Sequence, residues 1–160
     1  MKKSITAILA ISALLVCGCA SLRLTPEDKA RIAAQTEEGL DNRTFKIDVT
    51  QMNPKIGPSK QVSNYSLKVD GDRLVSQLPY FGQAWSVPFG GGKGMNFESG
   101  ISDYIETYPK ADRRVITLAT NNGEDNLVFT ITVFTNGKAT IDVRSRNRDS
   151  ISYRGMVITD

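Results

Sequence analysis

Asn126-Leu127-Val128-Phe129-Thr130-Ile131-Thr132-Val133-Phe134, then Thr135-Asn136-Gly137, then Lys138-Ala139-Thr140-Ile141-Asp142-Val143 has the pattern of one long β-hairpin. Its first arm alternates bulky apolar residues with threonines, the period of two that marks a half-buried strand. A two-residue Asn-Gly turn would set Val133 opposite Thr140 and Ile131 opposite Asp142, mixing both faces. A three-residue loop with Gly137 left-handed instead pairs Val133 with Ala139, Ile131 with Ile141 and Phe129 with Val143. One face is then wholly apolar, and a slip of one residue would expose it. The pattern therefore predicts the three-residue loop, and the rest of the chain has to pair with this ribbon or cover its apolar face.

Working outward, Val115 to Thr120 reads as a strand joined to the ribbon by the four-residue loop Asn122-Gly123-Glu124-Asp125. That loop sets Leu118 opposite Phe129 and Ile116 opposite Ile131. Downstream, Arg144 to Asp149 carries a turn, and Ile151 to Val157 closes the chain as a last strand. Upstream, Phe45 to Val49 alternates and is ended by Met52-Asn53-Pro54. Lys55 to Ser63, with Gly57 and Pro58, reads as a loop. Tyr65, Leu67 and Val69 share a face, and a two-residue turn at Asp70-Gly71 pairs Leu67 with Leu74 and Tyr65 with Ser76.

Ahead of the strands, Thr25-Pro26-Glu27-Asp28 starts a helix: a Thr N-cap, proline at the first position and acids in the first turn. Gly39 reads as its stop. Only Ala30, Ile32, Ala33 and Ala34 offer an apolar face, so light packing on a sheet is expected. The large anchors of a partner-binding helix are missing. The fold expected is mostly β with some α, a curved antiparallel sheet or half-open barrel of seven to nine strands with one N-terminal helix. No repeat of fixed period appears.

The N-terminus is a targeting signal. Met1-Lys2-Lys3 is positive and Ile5 to Val16 is apolar, too short for a permanent membrane span but long enough for a signal-peptide core. It ends in Val16-Cys17-Gly18-Cys19, which resembles a bacterial lipobox, and Gly18 before Cys19 makes Cys19 the lipidation site. Residues 1–18 are then a lipoprotein signal peptide, 19–24 a lipidated tether and 25–160 a single β-rich domain. Several acyl chains at about 0.8 kcal/mol per buried methylene hold a protein on a membrane permanently. Ala20 and Ser21 follow rather than Asp, which favours the outer membrane, and the lack of an acidic run favours a periplasm-facing domain.

Cleavage would leave 142 of the 160 residues and no free thiol, so a packed core rather than disulfides must stabilise the domain. Without Lys2 and Lys3, the 20 basic side chains fall to 18 against 17 acids, a net charge of +1. That balance gives no support to nucleic-acid binding. The chain has no histidine, so the commonest general base and zinc ligand are missing. No metal and no cofactor is expected, and a non-enzymatic role is.

Each remaining motif has a plain structural explanation beside its chemical one. Asp103 with Glu106, Glu124 with Asp125 and Asp70 with Asp72 have the composition of a glycosidase acid pair, but each sits in a turn or polar stretch. Gly90-Gly91-Gly92-Lys93-Gly94 fails as a phosphate loop, because Gly94 stands where Ser or Thr belongs. Asn121 to Asn126 is rich in oxygen ligands but matches no calcium-loop spacing. Arg144, Arg146 and Arg148 would share a face of an extended chain, as a charged edge or an anion patch. Leu78-Pro79-Tyr80-Phe81-Gly82-Gln83-Ala84-Trp85 is the densest aromatic stretch. Pro79 and Gly82 should bend it out of the sheet, leaving Tyr80, Phe81 and Trp85 as candidates for ligand binding.

Asn53-Pro54, Asp70-Gly71-Asp72, Leu78-Pro79-Tyr80-Phe81-Gly82, Asn136-Gly137 and Ser150-Ile151-Ser152-Tyr153-Arg154-Gly155 together resemble a Bacteroidetes lipoprotein family known as a domain of unknown function, DUF4251. The resemblance covers Thr44 to Ile158. It implies a cell-envelope lipoprotein and carries over no catalytic residue. The role expected is a binding or scaffold module on the outer membrane, held there through Cys19, with an envelope protein or an apolar ligand as partner. A carrier with Tyr80, Phe81 and Trp85 at the mouth of a sheet-and-helix cavity is one alternative, and a carboxylate hydrolase is another.

Overall fold

The computed structural model describes residues 25–85 and 94–158. Residues 1–24, with the expected signal peptide, Cys19 and tether, and Gly90 to Lys93 lie outside the described residues. Among the described residues one helix, α1 (Pro26–Asp41), precedes eight strands: β1 (Thr44–Pro54), β2 (Lys60–Asp70), β3 (Arg73–Leu78), β4 (Met95–Lys110), β5 (Arg113–Asn121), β6 (Asn126–Phe134), β7 (Lys138–Ser145) and β8 (Ile151–Ile158). Every strand pairs antiparallel with its sequence neighbour, and β1 also pairs with β8, so the sheet closes into a barrel. A closed sheet has no edge at the seam, which is why the barrel is complete rather than half-open.

The ribbon that decided the fold has the expected register: Val133 opposite Ala139, Ile131 opposite Ile141, Phe129 opposite Val143. Gly137 has φ +78, the left-handed conformation that ends a three-residue loop. Leu118 meets Phe129 and Ile116 meets Ile131 across the four-residue loop. The β2–β3 hairpin differs. Val69, not Leu67, pairs with Leu74, and Leu67 pairs with Ser76. The loop residues are Gly71-Asp72, one position later than expected. Gly71 therefore takes the first central place at φ +60, where a primed turn wants glycine.

The β1–β2 loop is also shorter than expected, because Lys60 to Ser63 already belong to β2. The strand at 60–63 was masked in the sequence by irregular pairing. Val49 meets Tyr65 but Gln51 meets Gln61, and Asn64 turns left-handed in between. The same bulge lets β1 bury Phe45, Ile47 and Val49, then change parity and bury Met52. Gly155 of β8 lies opposite Val49 here.

Eight strands enclose a space that side chains can just fill. Leu67, Leu74, Ile116, Leu118, Phe129, Ile131, Ile141 and Tyr153 are fully buried within it. Phe97 packs on Phe129 at 6.3 Å between ring centroids. The interior is a core, with Ser76 and Thr120 hydroxyls satisfied by the Met95 and Gly100 carbonyls at 2.7 Å.

The helix closes one end of this core. Thr25 caps it with a reciprocal Thr25–Asp28 box. Gly39 does not stop it; the helix continues to Asp41, and Arg43, at φ +51, makes the left-handed exit. Thr36 and Leu40 are its buried residues, with Ile32 and Ala33 half-buried, while Ala30 and Ala34 face solvent. One turn of the i, i+4 row thus differs from the alanine-rich face expected. Arg114 of β5 pins the helix, reaching Glu37 at 2.6 Å and Asp41 at 2.7 Å.

Candidate functional site at the open rim

In an antiparallel barrel, successive loops alternate between ends. The helix covers the end with the β2–β3, β4–β5 and β6–β7 loops, so the opposite rim carries the other four. Its largest component begins where β3 stops at Leu78. Pro79 cannot donate to a ladder, and the chain leaves the sheet as expected. Residues 79–85 then cross the rim and are held by the β7–β8 loop.

Backbone bonds do most of this. The Trp85 N–H donates to the Asn147 carbonyl at 2.8 Å, the Asp149 N–H donates to the Gln83 carbonyl at 2.9 Å, and Ala84 bridges antiparallel to Arg148. Tyr153, rising from the core, donates its hydroxyl to the Pro79 carbonyl at 2.7 Å. The Tyr80 hydroxyl donates to the Gln83 carbonyl at 2.8 Å. Burial, reinforced by the neighbouring Asp149 charge, pushes the Tyr80 phenol above its ordinary range.

Asp149 ties three loops together. Its carboxylate accepts from the Lys55 ammonium at 2.9 Å and from the Gln83 N–H at 3.2 Å. Lys55, and then that amide, hold its carboxyl below the usual carboxylate range. Beside it Arg148 turns inward and is only 5 % exposed, 3.4 Å from Asp125 and 3.8 Å from Glu124. Asp125 also accepts the Ser145 hydroxyl. Buried charges paired in this way avoid the desolvation cost that an isolated one would carry.

These bonds leave three large apolar side chains outside. Trp85 is 65 % exposed, Phe81 51 % and Ile56, in the β1–β2 loop, 67 %. The Lys60 ammonium sits 4.0 Å above the Phe81 ring.

The aromatic candidates are thus gathered at one place but divided by role. Tyr80 is a half-buried brace rather than the lining of a mouth, whereas Phe81 and Trp85 point to solvent. The arginines do not share a face: β7 ends at Ser145, the chain bends, and Arg148 is buried while Arg144 and Arg146 stay exposed. In the Asn121–Asn126 loop the oxygens are used for turning: Asn121 accepts from the Gly123 N–H and Asn122 from those of Glu124 and Asp125. Among the described residues no group of three or more acids gathers as a metal site would require.

The candidate acid pairs each face a base: Glu106 lies 3.0 Å from Arg114, Asp70 3.6 Å from Lys68 and Asp72 3.8 Å from Arg43. The helix–sheet cleft, about 340 Å³, is lined by Gln35, Glu38, Asn42, Lys46 and Lys68 beside Phe45. Sequence reasoning missed Ile56, Lys60 and Asp149. In an Asn-Arg-Asp-Ser turn nothing distinguishes an organising acid from an ordinary turn former.

A family model described as a domain of unknown function (DUF4251) matches residues 18–157. The chain belongs to the DUF4251 family. A crystal structure of a DUF4251 family protein from Bacteroides eggerthii superimposes with a TM-score of 0.62 at 15 % identity, covering 81 % of this chain and 88 % of that one. At that identity the likeness shows a shared fold. No curated protein matches the chain. For this DUF4251 protein, then, the rim geometry is the ground on which a role has to be argued.

Proposed function

We propose that this DUF4251 protein is a non-catalytic binding module of the cell envelope, tethered to the outer membrane through lipidated Cys19, facing the periplasm and engaging its partner with the rim. One observation carries the reading: Phe81 and Trp85 are held in solvent by a segment whose backbone is hydrogen-bonded at both Gln83 and Trp85. Exposed aromatics on a restrained backbone lose little entropy on binding, which is what makes such residues anchors. The filled interior supports a surface role over a carrier role, and the polar lining of the helix–sheet cleft does the same.

Two experiments test the parts separately. Cys19→Ala should release the protein from membranes; retention in the membrane fraction would remove the lipid anchor from the account. A photoreactive phenylalanine analogue placed at position 85 in living cells should give a discrete adduct with its target, protein or phospholipid. The same analogue at the exposed position 142, on the barrel wall, should not. Equal labelling from both positions, or none from 85, would contradict the rim as the binding surface.

A further inference from the structure

Resting on the rim as the binding surface, we infer that its target is a membrane leaflet rich in anionic phospholipid, with Ile56, Phe81 and Trp85 entering the interface while Lys60 and Arg146 meet the phosphates. The first ground is the sorting of charge. The carboxylates of this end are turned inward: Asp125 and Asp149 are buried and Glu124 lies against Arg148. Of the cations described at this end, Arg148 turns inward onto Asp125 and Glu124, while Lys60, Arg144 and Arg146 are exposed and Lys55 is half in solvent although paired to Asp149. An end that hides acids and shows bases is complementary to a negative surface.

The second ground is shape. The apolar side chains project from two loops, Ile56 on one and Phe81 with Trp85 on the other. They line none of four clefts of about 340 to 510 Å³ found among the described residues. Separate projecting tips, with no such cleft between them to receive a partner's side chain, suit a planar fluid interface. Tryptophan and phenylalanine flanked by lysine and arginine are the side chains that partition at headgroup depth. The bonds from Trp85 to Asn147 and from Asp149 to Gln83 keep the second loop in place as the tips enter, and the Lys55–Asp149 ion pair ties the first loop to the same support.

Trp85 is the sole tryptophan of the chain, so its fluorescence reports the rim alone. The protein as the cell processes it is held in phosphatidylcholine nanodiscs and mixed with vesicles of phosphatidylglycerol and phosphatidylcholine whose acyl chains are brominated. Trp85 emission is expected to shift to the blue and be quenched. Phosphatidylcholine vesicles should have little effect. Lys60→Ala should weaken the response about five-fold, the attraction of one cation to an anionic surface, and so should raised salt. Phe81→Ala, which keeps the charges, should weaken it as well.

Unchanged emission with anionic vesicles, or equal quenching by zwitterionic ones, overturns the lipid target. If position 85 still captures a protein in cells, only that target falls and the rim remains a binding surface. If it captures nothing, both readings fall.

Discussion

At Gly155 the backbone of β8 passes so close to β1 that a Cβ would stand 2.0 Å from the Asp48 carbonyl oxygen. No side-chain movement relieves a clash with backbone, so Gly155→Ala must open the β1–β8 seam. A loss of about 3 kcal/mol is expected, at the upper end of ordinary overpacking, read as a lower denaturation midpoint. Asp149 sets a different dependence. Its carboxyl is depressed in the folded protein by Lys55 and the Gln83 amide, so its contribution is present above the ordinary carboxylate value near pH 4 and is lost as pH falls through the lower folded value. The rim should therefore loosen in acid before the barrel melts, seen as a change in Trp85 emission. Asp149→Asn should show the loosened emission already at neutral pH and remove that acid step.

Among the elements, the helix depends on Arg114, which is itself 5 % exposed while its partners Glu37 and Asp41 are 46 % and 65 % exposed. Arg114→Met leaves Glu37 and Asp41 to water but strands Glu106, 25 % exposed and 3.0 Å from the guanidinium, so the cost should be about 3 kcal/mol, that of breaking a largely buried pair. Faster amide exchange along α1, with the β6–β7 ladder unchanged, is the expected signature. Beside this latch Tyr104 lies under the Arg43 guanidinium at 4.1 Å. Burial first, and then the Glu106 charge, push its phenol up to about 12. Its stabilising effect is complete below the ordinary tyrosine value near pH 10 and disappears as pH rises toward 12. Tyr104→Phe should accordingly lessen the fall in melting temperature across that interval, leaving the part due to Tyr80 and Tyr153.

The elements also show what could be read in advance. The β5–β6–β7 registers were legible because a slip of one residue there inverts a threonine face and a valine–isoleucine face. The β2–β3 register was not, because a shift of two in the pairing keeps Leu67, Val69, Leu74 and Ser76 on the same face. Only the position of Gly71 in the turn separates the two. The 16-residue β4 escaped altogether, since its irregularities at Ile101–Asp103 and Thr107–Lys110 break the alternation that marks a strand. Arg148 was misplaced for a related reason: alternation carries a side chain outward only while the strand continues, and β7 ends at Ser145.

For the whole molecule, closure and filling go together. The β1–β8 seam leaves no edge there to pair with another chain, and the fully buried Phe129 and Tyr153 occupy the centre. The helix occupies one end and the rim, held by Asp149, Tyr80 and the backbone of 147–149, presents Ile56, Phe81 and Trp85 at the other; Ile105 and Tyr108 of β4 are exposed as well, without such bracing loops. For the rim to bind as a preformed surface, its bracing segment must be as fixed as the barrel beneath it. Native-state hydrogen exchange by NMR at the Trp85 and Asp149 amides tests this most directly. Both should be protected to nearly the same degree as the Ile47 and Ile131 amides of the strands. Exchange at the rate of an unfolded loop would contradict a preorganised rim.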